Sequence, residues 1–104
     1  HIHEKSECSA ADGSSAGGHW KPTFKKHGKL GEGEAHKGDI GNFTADEKGN
    51  GTITFTTKEW SIGSEDETKN ILGKGLIVHQ GADDYVSQPA GNAGARVACS
   101  AIIK

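Results

Sequence analysis

The stretch from residue 6 to about residue 42 constrains this chain more than any other feature, because it has no sustained apolar period. It is built mostly from Gly, Ser, Lys, His and Asp. A loop of that length is uncommon inside a compact domain unless it is functional and held by something other than a hydrophobic core. The chain has little core to offer. Of its 104 residues, 32% are hydrophobic and 6% aromatic, against 16 glycines. That mix disfavours a helical bundle and suits short strands joined by glycine-punctuated loops. So thin a core calls for support from metal, disulfide or oligomerisation.

Regular structure is expected on either side of the loop. Residues 1–5 read as the end of a strand, with His1 and His3 on one face. Residues 42–45 read as a short strand, followed by a turn over 46–51. The alternation over 52–57 predicts another strand with Ile53 and Phe55 facing inward. Residues 60–62 form a further short segment and 70–73 a bend. Gly75–His79 is a β-branched strand ending in histidine, 81–94 a second loop, and 96–103 the last strand. The pattern predicts an antiparallel all-β domain carrying two large loops.

Charge excludes one class of partner. The formal charge is −2, from 12 basic and 14 acidic residues, and no basic stripe of the kind nucleic-acid binding requires is present. No apolar run approaches a membrane span, and no stretch has the pattern of a signal peptide. Cys8 and Cys99 lie near opposite ends of the chain. They are either two buried free thiols or a disulfide. A disulfide would close a loop across most of the chain, stabilise it by roughly 4–5 kcal/mol, and imply an oxidising compartment.

The six histidines are His1, His3, His19, His27, His36 and His79. Singly, each is more often a surface or hydrogen-bonded histidine than a ligand. Together, in a chain so poor in apolar residues, they point to a metal that favours imidazole, copper or zinc rather than a hard cation. His1 and His3 can converge on one ion from one strand face. His19, His27 and His36 are spread along the loop, with Asp39 three residues after His36. Three histidines and a carboxylate make the closed four-ligand set of a structural zinc site. Such a site would order its loop as it binds. His79, at the end of a distant strand, is left to join His1 and His3. Spacing does not say whether the two groups are neighbours, so the residues alone give a zinc-stabilised loop beside a copper-type histidine cluster.

Six segments carry a further signal: His1-Ile2-His3-Glu4, Ser15-Ala16-Gly17-Gly18-His19-Trp20-Lys21-Pro22, Lys26-His27-Gly28, His36-Lys37-Gly38-Asp39, residues 73–79 and residues 91–99. In this order, and over nearly the whole chain, they resemble the copper–zinc superoxide dismutase family. Residues 88–96 are most similar to its bacterial secreted branch. The resemblance implies a Greek-key β-sandwich or flattened barrel with two long functional loops. It implies copper and zinc as cofactors, with His1, His3, His19 and His79 on copper and His19, His27, His36 and Asp39 on zinc, His19 bridging the two. Asp83 matches the carboxylate that bonds one ligand on each side, His1 and His27, and Arg96 matches the guanidinium that holds the anionic substrate. Cys8 and Cys99 match the family's disulfide. The implied reaction is disproportionation of superoxide to oxygen and hydrogen peroxide, in a periplasmic or secreted protein.

The sequence departs from the family at the front, where strands expected before His1 are missing. Residues 1–104 are therefore expected to be a single, N-terminally incomplete domain, and homodimerisation or association with the front segment is left open. Gln80 and Gly81 follow His79 where several relatives place charged residues, which puts the field of the substrate channel in question. Two competing readings are a non-catalytic copper/zinc-binding domain or inactive fragment, and a copper monooxygenase in which an α-amine at His1 chelates copper. The second leaves the other five histidines idle. Trp20 and Trp60 read as packing residues, and Lys25 and Lys26 as a solvated loop face.

Overall fold

Leu76, Ile77 and Val78 are consecutive apolar residues, two of them β-branched, and they lie at the centre of the only sheet among the described residues. The computed structural model describes residues 1–22, 28, 36–88 and 90–103. Its strands are β1 (Ile2–His3), β2 (Gly75–His79) and β3 (Arg96–Ala101), in the order β1-β2-β3. Both pairings are antiparallel. Among the described residues there is no α-helix, only a 3-10 turn at Ser14–Ala16. The all-β class read from the sequence holds, with an open sheet of sandwich type.

Register decides what the sheet presents. Ile2 faces Leu76 and His3 faces Gly75. Ile77 faces Cys99, and a shift between Val78 and His79 sets His79 opposite Arg96. The irregularity therefore aims a cation and an imidazole at the same end of the sheet. On its other side β1 is paired by the loop. Trp20 N–H donates to Ile2 O, Glu4 N–H to Gly18 O, and Lys5 N–H to Ala16 O. His3 and His19 consequently form an antiparallel bridge.

Two expected strands do not form. Residues 42–45 and 52–57 adopt no strand, and Phe43 and Ile53 are 42% and 46% exposed. Alternation specifies a strand only where one of its faces is buried against a partner. These side chains, with Leu76 and Val97, instead line an open apolar trough of about 560 Å³. The buried interior adjoins the trough, with His1, Ile77, Asp83 and Ala93 belonging to both. There Ile2, Ala16, Trp20, Ile77 and Ala93 share it with His1, His3, His19, His36, Asp39 and Asp83. Cys8 and Cys99 form a disulfide that ties the loop to β3, with Cα atoms 5.7 Å apart.

Candidate metal centre

Burying six imidazole and carboxylate side chains in a domain with so few buried apolar ones is unfavourable unless each has a partner. The partners are specific. His3 Nδ1 donates to Gly17 O at 2.8 Å, and His79 Nδ1 donates to Gly94 O at 3.1 Å. A carbonyl only accepts, so both protons sit on Nδ1 and both Nε2 atoms present lone pairs. Those Nε2 atoms face each other at 3.4 Å. His1 Nε2 donates to Asp83 Oδ2 at 2.7 Å, which turns its buried Nδ1 inward. The His1 ring stacks on His19 with centroids 4.0 Å apart.

His19 stands at the join. Its Nδ1 lies 3.0 Å from Asp39 Oδ1 and 3.3 Å from His36 Nδ1, while its Nε2 is buried on the other side of the ring. Two groups result, each with ligand atoms within 4.8 Å of one another: His1, His3, His19 and His79, and His19, His36 and Asp39. His19 belongs to both. The Asp39 carboxylate is held by N–H donors from His36 at 2.8 Å and Gly28 at 3.1 Å. His27 lies outside the described residues.

The donor set fits cations. Two imidazole lone pairs facing each other at 3.4 Å repel unless positive charge lies between them. Zinc–nitrogen bonds of about 2.0–2.1 Å in a tetrahedron put neighbouring ligand atoms about 3.3–3.4 Å apart, which matches the His19–His36 spacing. Protonation does not compete well for this site. Burial, with Arg96 and the neighbouring histidines adding to it, lowers the His3 pKa to about 3, and burial also lowers that of His79. Both imidazoles are therefore neutral at physiological pH, the form a metal binds.

Arg96, opposite His79, is held by its own hydrogen bond from Nη1 to Gly13 O at 2.8 Å. The backbone carbonyls of Gly13, Gly17 and Gly94 are functional groups that residue types cannot announce. Asn42 is a side chain the sequence reading placed in a strand. It clasps the Asp83 backbone instead, accepting its N–H at 2.8 Å and donating Nδ2–H to its carbonyl at 2.9 Å.

These features define a β-sheet protein with two adjoining groups of imidazole and carboxylate donors that could each hold a metal ion and that share one imidazole. Residues 1–102 match the family described as copper/zinc superoxide dismutase (SODC). Superoxide dismutase [Cu-Zn] 2 of Aquifex aeolicus (strain VF5) is 41% identical over 104 residues, covering 98% of this chain and 61% of the relative. Superoxide dismutase-like protein YojM of Bacillus subtilis (strain 168) is 36% identical over 106 residues, covering 99% of the chain and 54% of the relative. A crystal structure of a SOD-like protein from Bacillus subtilis superposes with a TM-score of 0.88 at 36% identity, covering 99% of this chain and 70% of that one. The chain belongs to the copper/zinc superoxide dismutase family. It spans about three-fifths of the length of the Aquifex relative. No helix among the described residues is long and apolar enough to cross a membrane.

Proposed function

We propose that this chain contributes the metal centre of a copper–zinc superoxide dismutase, with superoxide as substrate and oxygen and hydrogen peroxide as products. The observation that carries the reading is the membership of His19 in both ligand groups. In this reading His1, His3, His19 and His79 hold copper, and His19, His27, His36 and Asp39 hold zinc. When bound, copper supplies the one-electron couple and zinc a fixed positive charge. His19 Nε2 takes up a proton and returns it between the two half-reactions. Arg96 binds the anion at the edge of the four-histidine group, in an orientation set by Gly13 O. Asp83 keeps the proton on His1 Nε2 and so presents Nδ1. The same reading takes residues 1–104 as one domain, and the Cys8–Cys99 disulfide supports a periplasmic or secreted setting.

The test is superoxide disproportionation after loading with copper and zinc, with metal content read on the same sample. Activity that is lost in His19→Ala is the expected result. Full loading without activity would favour a non-catalytic metal-binding domain, a reading suggested by the superoxide dismutase-like name of the Bacillus relative.

A further inference from the structure

The turn from His36 to Asp39 carries two of the proposed zinc ligands, and its peptide groups are tied down one by one. His36 O accepts the Asp39 N–H at 3.0 Å, and Gly38 O accepts the Ile2 N–H at 2.8 Å. Gly38 N–H donates to Trp20 O at 3.0 Å. The carbonyl of Lys37, between the ligands, has no main-chain donor among the described residues. It accepts the indole Nε1–H of Trp60 at 2.6 Å. The Lys37 side chain is held by the adjacent residue, with Nζ paired to the Glu59 carboxylate. Residues 59 and 60 thus grip both the backbone and the side chain of the residue that follows His36.

The grip is anchored to the sheet. The Trp60 ring packs on Phe55 with centroids 4.9 Å apart. Ser61 forms a bridge with Asn70, donating its N–H to Lys69 O at 2.8 Å and accepting from Ile71 N–H at 3.0 Å. Ile71 O in turn accepts the Lys74 N–H at 3.2 Å, directly before β2. Trp60 is only half-buried, so its indole is not there chiefly to fill the core. An exposed ion pair such as Lys37–Glu59 contributes little by itself. A rigid indole donating to a carbonyl that has no main-chain donor among the described residues fixes the peptide plane.

We propose that Trp60 is a positioning residue for the zinc half of the site, holding the Lys37 peptide so that His36 and Asp39 are spaced for the metal before it arrives. This inference rests on the zinc assignment made above. Groups that orient ligands from outside typically change metal affinity 10–100-fold when removed. Acting one peptide away, Trp60 belongs at the lower end of that range.

Zinc affinity measured by competition with a chromophoric chelator tests it. Trp60→Phe keeps a ring beside Phe55 and deletes the N–H. The variant is expected to bind zinc about ten-fold more weakly, with copper affinity unchanged. Cobalt(II) placed in the zinc site should show a shifted ligand-field spectrum. A purely packing role would destabilise the metal-free and zinc-bound chain alike while leaving zinc affinity and the cobalt spectrum unmoved. That outcome overturns the inference and leaves the zinc assignment standing. An unsubstituted chain that binds no zinc overturns both. If Trp60→Phe does not fold, Trp20→Phe leaves Trp60 as the sole tryptophan. Its emission should already be that of the hydrogen-bonded indole in the metal-free chain and hold steady as zinc saturates the site, and an emission that shifts only on zinc binding overturns the inference.

Discussion

Asp83 is where single atoms decide the behaviour of the candidate centre. It is 4% exposed, and each carboxylate oxygen has its own donor. Oδ2 accepts from His1 Nε2 at 2.7 Å, and Oδ1 accepts the Tyr85 N–H at 2.8 Å. Tyr85 adopts φ 63°, a conformation rare for a bulky residue and kept only where the surroundings enforce it. In Asp83→Asn the amide nitrogen must face either His1 or Tyr85, donor against donor. Copper affinity is expected to fall roughly 10–100-fold, read by competition titration. An unchanged affinity would mean that His1 is oriented by its stack on His19 alone. At this scale Asp83 stood out only through the family resemblance, whereas the described histidines and Asp39 were legible as candidate donors because their chemistry is in the side chain. The carbonyls of Gly13, Gly17 and Gly94 were not, since a backbone acceptor leaves no mark on residue type.

The element that organises the centre is β1, although it has only two residues. Its backbone is bonded to β2 on one side and to Trp20 and Gly38 on the other, which draws His1, His3 and His19 together with the turn bearing His36 and Asp39. Close approach is possible only because residue 38 is glycine. A Cβ there would lie 2.2 Å from Ile2 O, so Gly38→Ala must part β1 from the turn. The expected cost is about 3 kcal/mol, seen as a lower denaturant midpoint, together with weaker zinc binding. A midpoint within experimental error of the unsubstituted chain would show that the turn yields without strain. β2 could be read from sequence because Ile77 and its neighbours are apolar and one of their faces is buried, whereas β3 has no buried residue and is held by its pairing with β2. Residues 52–57 carry the same alternation, yet Ile53 meets no opposing layer among the described residues and the strand does not form. Periodicity states what a strand would bury, and the partner must come from elsewhere.

Across the whole molecule, folding and metal binding draw on the same residues. The chain keeps a radius of gyration of 13.1 Å with only three short strands among the described residues, a size usual for a folded domain of about 100 residues. What stands beside that limited regular structure is one disulfide and a cluster of buried imidazoles. The disulfide closes the chain independently of pH, but the imidazoles do not behave that way. His3 has its pKa lowered from 6.5 to about 3, and that of His79 is lowered too, burial being the first cause in each. Below pH 6.5 the unfolded chain therefore takes up protons that the folded chain refuses. Stability rises with pH wherever the unfolded state binds more protons, so this contribution is complete above pH 6.5 and is lost as pH falls toward 3. Metal ions require the same neutral rings and oppose the loss for as long as they stay bound. Denaturation midpoints of the chelator-treated chain are thus expected to decline steadily from pH 7 to pH 4. With copper and zinc present the decline should begin at lower pH and coincide with metal release. A metal-free midpoint that stays level over that range would show that His3 and His79 gain protons in the folded state as readily as in the unfolded one, and the cluster would then not be a buried receptor preformed for metal.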